Sequence, residues 1–133
     1  MSEQNKRVVL TYVDAFNRGD LDAMCATFAK DSLIYGALGW VGLDIAKPMW
    51  SDLMRCFQVS LEVDAMIAEG DTVAVRYTER GRSVASFRGG EVTGKDYEVI
   101  AMEWFAVKEG HIERRWGARD VASIFRQMGL SPP

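Results

Sequence analysis

Histidine is nearly absent from this sequence: one residue, His111, in 133. That excludes every His-rich metal site and every Ser-His or Cys-His pair that does not use His111 itself. His111 lies in Glu109-Gly110-His111, which reads as a hairpin turn, and is assigned no role. Cysteine is scarce too. Cys25 and Cys56 sit inside apolar helical patterns, where reduced buried thiols are expected rather than a disulfide framework. No apolar run approaches the roughly 20 residues needed to span a bilayer, and the start, MSEQNKRVVLTYVDAF, has no secretion core. Cytoplasm is the expected compartment, without membrane attachment. There is no excess of basic residues either. The net charge is −3, with the signs interleaved and only short clusters such as Arg114-Arg115, so a nucleic-acid partner is not expected.

What is present suits one domain spanning 1–133: hydrophobic residues make up 48% and charged residues 26%. Val9, Tyr12, Val13 and Phe16 recur at helical spacing up to Gly19. Asp20 is a natural N-cap for a second helix carrying Leu21, Met24, Cys25 and Phe28, ended by Asp31 before a short strand, Leu33-Ile34-Tyr35. A third helix follows Gly42 with Met49, Trp50, Leu53, Met54 and Phe57 as its stripe, and Pro48 is expected in its first turn. From Val59 the period becomes two. Val59, Leu61, Val63, Ala65 and Ile67 are expected on one face, followed by strands at Thr72–Arg80, Tyr97–Val107 and Ile112–Ala118. Asp120–Met128 reads as a closing helix, stopped by Gly129.

Helices followed by hairpin-connected strands predict an α+β fold with a curved, mostly antiparallel sheet. Three helices over its concave side would leave a cone enclosing one pocket. The strand Tyr97–Val107 is apolar on both faces, which predicts a homodimer through the outer face.

Several segments, in order, resemble the SnoaL-like polyketide cyclase family of the nuclear transport factor 2-like superfamily. They are Tyr12…Phe16-Asn17-Arg18-Gly19-Asp20, Phe28-Ala29-Lys30-Asp31, Phe87-Arg88-Gly89 with Val92-Thr93-Gly94-Lys95, and Gly110-His111-Ile112…Trp116…Asp120…Gln127-Met128-Gly129. The resemblance implies a cone-shaped fold, a frequent homodimer, and a cofactor-independent acid/base enzyme of the cyclase, isomerase or dehydratase kind. The substrate class implied is a small, largely apolar, carbonyl-bearing molecule. A non-catalytic small-molecule-binding or dimerisation module is the alternative, because one fold hosts many functions.

By that resemblance Asp120 is the candidate general acid/base. Strand parity with Ile112, Arg114, Trp116 and Ala118 would point it into the pocket, where apolar walls disfavour the charged form; an N-cap for the last helix is the competing role. Candidate substrate-binding residues are Tyr12, Phe16, Trp40, Trp50, Met54, Phe57, Tyr77, Trp104 and Trp116, although core packing is the preferred reading for an aromatic taken singly. Glu103 interrupts an apolar strand face, so it faces either the pocket or, as the preferred reading, an arginine across a dimer interface. Where the family's ester cyclases tend to carry histidine, this chain has Ser83, and Glu91-Val92 replaces the usual prolines.

Two further patterns lead elsewhere. Gly89–Lys95 fits G-x-x-x-x-G-K, but Asp96 follows where Ser or Thr is needed and a strand follows where a helix is needed. The acidic residues Asp14, Asp20, Asp22 and Asp31 are scattered, so no metal is expected. Epoxide hydrolysis would need water held by an Asp-Arg-Asp type set, and none can be assembled from this sequence.

Overall fold

The computed structural model describes residues 2–132. Its elements run α1 Ser2–Arg18, α2 Leu21–Ala26, β1 Phe28–Gly36, β2 Gly39–Val41, α3 Leu43–Phe57, β3 Ser60–Glu69, β4 Thr72–Arg82, β5 Asp96–Lys108, β6 His111–Arg119 and α4 Val121–Gln127. The strands form one sheet in the order β2-β1-β6-β5-β4-β3. Among the described residues only the β1–β6 pairing is parallel. Helices α1 and α3 lie over the inner face, and the expected α+β cone is what forms. None of the described helices is long and apolar enough to cross a membrane.

Local chemistry sets the first boundaries. Gly19, at φ +72°, takes the left-handed turn that ends α1, and its N–H returns to Phe16 O at 3.0 Å. Asp20 then caps α2, its carboxylate accepting from the Ala23 N–H at 3.0 Å. That helix is shorter than its apolar pattern suggests. The Thr27 hydroxyl closes it on Met24 O, and Phe28 already belongs to β1, opposite Ile112. The Phe28 ring packs edge-on against Tyr12 and is tilted against Trp50, so tertiary burial overrides the helical spacing. In α3, Pro48 lies beyond the first turn. The helix begins at Leu43, and the proline removes one backbone donor inside it.

Two β-bulges decide which side chains face inward. Val63 opposes Tyr77 but Ala65 opposes Arg76, so Asp64 is an extra residue in β3. The expected single face of β3 therefore breaks: Leu61 and Val63 point inward, then Met66 and Ala68, while Ile67 is 70% exposed. Likewise Ala106 opposes Arg114 while Val107 opposes Ile112, leaving Glu113 as the extra residue in β6. Ile112 is buried, and beyond the bulge it is Arg115, Gly117 and Arg119 that turn inward. Trp116 turns outward, contrary to the parity expected for it.

Candidate functional site

Glu103, near the middle of β5, projects inward between Ala101 and Phe105 and is 3% exposed. An isolated carboxylate there would be prohibitively costly, so it must be paired. Four side chains converge on it. The Tyr12 and Tyr77 hydroxyls donate to Oε1 at 3.2 and 3.0 Å, and Arg119 Nη2 and Arg115 Nη2 reach Oε2 at 3.1 and 3.2 Å. Arg119 also serves a second buried carboxylate: its Nε donates to Glu79 Oε1 at 2.7 Å, while the Tyr97 hydroxyl donates to Glu79 Oε2 at 2.6 Å. Two carboxylates and two guanidiniums thus balance in charge, with phenols closing the remaining lone pairs.

The electrostatics follow from this packing. Burial acts to raise the Glu103 carboxyl, but the guanidiniums of Arg115 and Arg119, with the hydrogen bonds from Arg119 and Tyr77, bring it below the ordinary carboxylate range. Burial, together with the neighbouring carboxylate, pushes the Tyr12, Tyr77 and Tyr97 phenols up. Arg115 is buried and Arg119 half-buried, which acts to lower them, yet Glu103 holds both guanidiniums more firmly protonated than usual.

This cluster forms one wall of a cavity of about 420 Å³. Tyr12 and Phe16 of α1, Trp50 and Phe57 of α3, and Ile34 and Phe125 supply much of its apolar lining; Glu79, Tyr97, Glu103, Arg115 and Arg119 supply the polar side. A second, more open groove of about 490 Å³, lined by charged residues including Arg80, Arg82 and Asp96, shares Tyr97 with it; Arg82 and Asp96 pair directly there.

Of the candidate binding residues, Tyr12, Phe16, Trp50 and Phe57 line the cavity. Tyr77 is buried behind it and holds Glu103. Met54 is half-buried against the core but is not among the lining residues. Trp40, Trp104 and Trp116 are corrected: they stand on the outer face of the sheet, 45%, 52% and 37% exposed. Trp104 opposes Trp116 in the β5–β6 ladder, and Trp116 meets Trp40 edge-on with ring centroids 5.5 Å apart.

Asp120 is exposed and caps α4, accepting from the Ser123 N–H at 2.9 Å. The cavity lining contains its neighbours Arg119 and Val121, not Asp120. Ser83 is fully buried, and its hydroxyl accepts from the Thr93 N–H at 3.0 Å, fastening the Ser83–Lys95 connection rather than facing the cavity. Glu103 does pair with an arginine, but within its own chain. Among the described residues no group of three His, Cys, Asp or Glu could hold a metal ion.

Strand parity overlooked Glu79, Arg115, Arg119 and Gly117. Glu79 was findable, since it continues the inward series Val73, Val75, Tyr77. The two arginines were hidden by the bulge at Glu113. With them in place, Glu79–Arg119–Glu103 is a carboxylate-arginine-carboxylate set, which parity alone could not assemble. Glu103, drawing four donors and held below the ordinary carboxylate range, is poorly suited to serve as the protonated acid that epoxide opening requires.

Residues 6–128 match the family profile described as SnoaL-like polyketide cyclase. No curated protein sequence matches the chain significantly. Among solved structures, AclR of Streptomyces galilaeus, a proposed hydroxylase, superposes with a TM-score of 0.88 at 23% identity over 97% of this chain and 98% of that one. IdmH of Streptomyces antibioticus, a proposed polyketide cyclase, gives 0.82 at 24% over 96% and 99%. A hypothetical protein of ketosteroid isomerase-like fold from Catenulispora acidiphila, in complex with trimethylamine, gives 0.78 at 16% over 93% of both chains. At these identities the likeness establishes the fold.

Proposed function

The chain belongs to the SnoaL-like polyketide cyclase family, and from that premise we propose that it is a cofactor-independent acid/base enzyme of the cyclase, isomerase or dehydratase kind. Its substrate is a small, largely apolar, carbonyl-bearing molecule, polyketide-like in its chemistry. One observation carries this reading: a charge-balanced cluster of Glu79, Glu103, Arg115 and Arg119 forms part of the wall of a mostly apolar cavity. Apolar walls hold the carbon skeleton and exclude water, and fixed charges act strongly on a carbonyl where the dielectric is low.

Glu79 is the group proposed to move the proton. It receives two donors, Tyr97 and Arg119, against four on Glu103, so lone pairs remain for a C–H group. A proton leaves the carbon next to the carbonyl for the Glu79 carboxylate, and the electron pair moves onto the carbonyl oxygen beside the guanidiniums. In ring closure the enolate carbon then bonds to a second carbonyl carbon, and the proton on Glu79 passes to the new alkoxide. Returned to another carbon it completes an isomerisation; delivered to a departing hydroxyl it releases water. Asp120, exposed and engaged as a cap, stands outside this path.

We propose also that two copies associate through the outer sheet face, where Trp40, Trp104, Trp116, Ile100 and Met102 are exposed together. Cys25 and Cys56 are free thiols, which suits the cytoplasm.

The experiment is hydrogen–deuterium exchange of 2-acetylnaphthalene, an apolar methyl ketone, in heavy water, followed by proton NMR. Loss of the methyl signal faster than in buffer at the same pH is the enzymatic outcome. Saturable binding with no accelerated exchange would instead make the chain a binding module.

A further inference from the structure

The mouth of the cavity carries one cation without a counter-charge. Four of the lining residues are exposed and so mark the opening: Ala37, Leu38, Ala118 and Arg88. Three of them are apolar, and Arg88 alone is charged. Deeper in, Arg115 and Arg119 are held by Glu103 and Glu79, and the half-buried Asp52 pairs with Arg55 at 2.7 Å. Among the described residues Arg88 makes no hydrogen bond or ion pair; its guanidinium rests over the Phe87 ring, 5.1 Å from the centroid.

Arginine is also an unfavourable residue for that backbone. Phe87 to Gly90 form a tight turn, the Gly90 N–H donating to Phe87 O at 3.0 Å, with φ +50° at Arg88 and +79° at Gly89. Positive φ at both central positions is the type I′ pattern, where asparagine, aspartate or glycine is preferred before glycine. A side chain as long as arginine is strained there. The turn is fastened in place from both sides. Ser86 Oγ donates to Gly90 O at 2.7 Å and Cys56 Sγ to Ser86 O at 3.3 Å, while the Phe87 ring packs against Phe57 and Phe125. An arginine held rigidly over the opening, against its turn's preference and with all its donors free, is placed to meet something outside the chain.

We propose that Arg88 binds a carboxylate carried by the substrate, which is therefore an amphiphile: an apolar, carbonyl-bearing body inside the cavity and an anionic tail at its mouth. This rests on reading the cavity as a carbonyl site and adds the second half of the molecule to it. The planar guanidinium fork matches the two oxygens of a carboxylate. One unpaired positive charge suits one negative charge, and it leaves a neutral or a cationic tail without a partner. The anion belongs at the mouth and no deeper. The inner cluster is already balanced, so a further carboxylate there would be desolvated without a counter-ion.

The test uses three probes that share an apolar ketone body and differ in the end of a short tail: 5-(2-naphthyl)-5-oxopentanoate, its N-methylamide, and the analogue ending in trimethylammonium. Affinities are measured by titration in wild type and Arg88→Asn, at about 0.1 M and about 1 M salt, between which the screening length falls from roughly 10 to roughly 3 Å. In wild type at the lower salt the acid should bind about fivefold tighter than the amide, the upper end for an exposed ion pair, with the cation weakest. That advantage should shrink at the higher salt. In Arg88→Asn it should vanish at both, while the thermal midpoint holds or rises because asparagine suits the turn. Equal binding of acid and amide by wild type overturns the Arg88 assignment and leaves the cavity reading standing. An acid preference that survives Arg88→Asn also overturns it, since the anion is then held elsewhere. A midpoint clearly lowered in Arg88→Asn overturns the claim that arginine is kept there against the turn's preference. Binding of none of the three overturns the inference and the cavity reading together. Because wild type alone discriminates among the probes, the result does not depend on the variant folding.

Discussion

Glu103 faces Gly117 across the β5–β6 ladder, and the side chain missing at 117 leaves room for the Arg115 guanidinium that pairs with Glu103. A side chain at 117 would push on Arg115 Nη1 and disturb the guanidinium whose Nη2 meets Glu103 at 3.2 Å. Neither partner is tolerable alone.

Glu103→Gln should therefore be strongly destabilising, by about 3–5 kcal/mol, because two guanidiniums lose their shared counter-charge. The pH dependence has a definite sign. The folded carboxyl lies below its ordinary value, so its stabilisation is complete above the unfolded carboxylate range near about 4.3 and fades as pH falls through the folded value. Denaturant melts of wild type and variant should accordingly differ most near neutrality and converge in acid. A gap independent of pH would show that Glu103 acts through packing alone.

The phenols give the opposite sign. Tyr12, Tyr77 and Tyr97 are raised chiefly by burial, then by Glu103 for the first two and by Glu79 for the third. Protonated phenol is thus favoured in the fold, and this contribution is lost as pH rises past about 10, where unfolded tyrosine ionises. Phenolate absorbance during alkaline titration should show three of the four tyrosines appearing only with loss of the circular dichroism signal. Four tyrosines titrating reversibly in folded protein would refute it.

Asp120 separates cap from catalyst. Its carboxylate accepts from the Ser123 N–H, a role asparagine fills about as well, so Asp120→Asn should leave the thermal midpoint nearly unchanged. Asp120→Ala should cost roughly 1 kcal/mol. A stabilised Asp120→Asn variant whose advantage grows with pH would instead indicate a carboxyl held in an apolar site.

On the outer face, Trp104 lies 52% exposed opposite Trp116. Light scattering should give about twice the 14.9 kDa chain mass, and Trp104→Glu should return it to the single-chain value. Because the ring is half in solvent, the variant's chain stability should shift little. A wild-type monomer at micromolar concentration would contradict the dimer.

Much of the architecture was legible because capping and periodicity are local. Gly19, Asp20, Asp120 and Gly129 mark element ends through backbone hydrogen bonds that their own side chains or φ angles dictate. The site was less so. Period-two reading assumes an unbroken ladder, and an extra residue at Asp64 or Glu113 inverts every side chain beyond it. Thus Trp116 and Arg115 exchanged faces, and with them an expected aromatic wall became a cationic one. Glu103 was visible as an interruption, but its partners depended on the bulge. In α2 the local pattern was overruled from a distance, since Phe28 is buried against Tyr12 and Trp50 only as part of a strand.

Glu79, a carboxylate lining the cavity, is the group proposed to move a proton at carbon next to a carbonyl. The most direct measurement of that role is the rate of methyl deuterium exchange of bound 2-acetylnaphthalene in wild type, Glu79→Gln and Asp120→Asn, with circular dichroism confirming that each is folded. The expected result is exchange faster than buffer in wild type and in Asp120→Asn, and a loss of about a hundredfold or more in Glu79→Gln, the scale of removing a positioned general base. Exchange that survives Glu79→Gln and disappears in Asp120→Asn would contradict it.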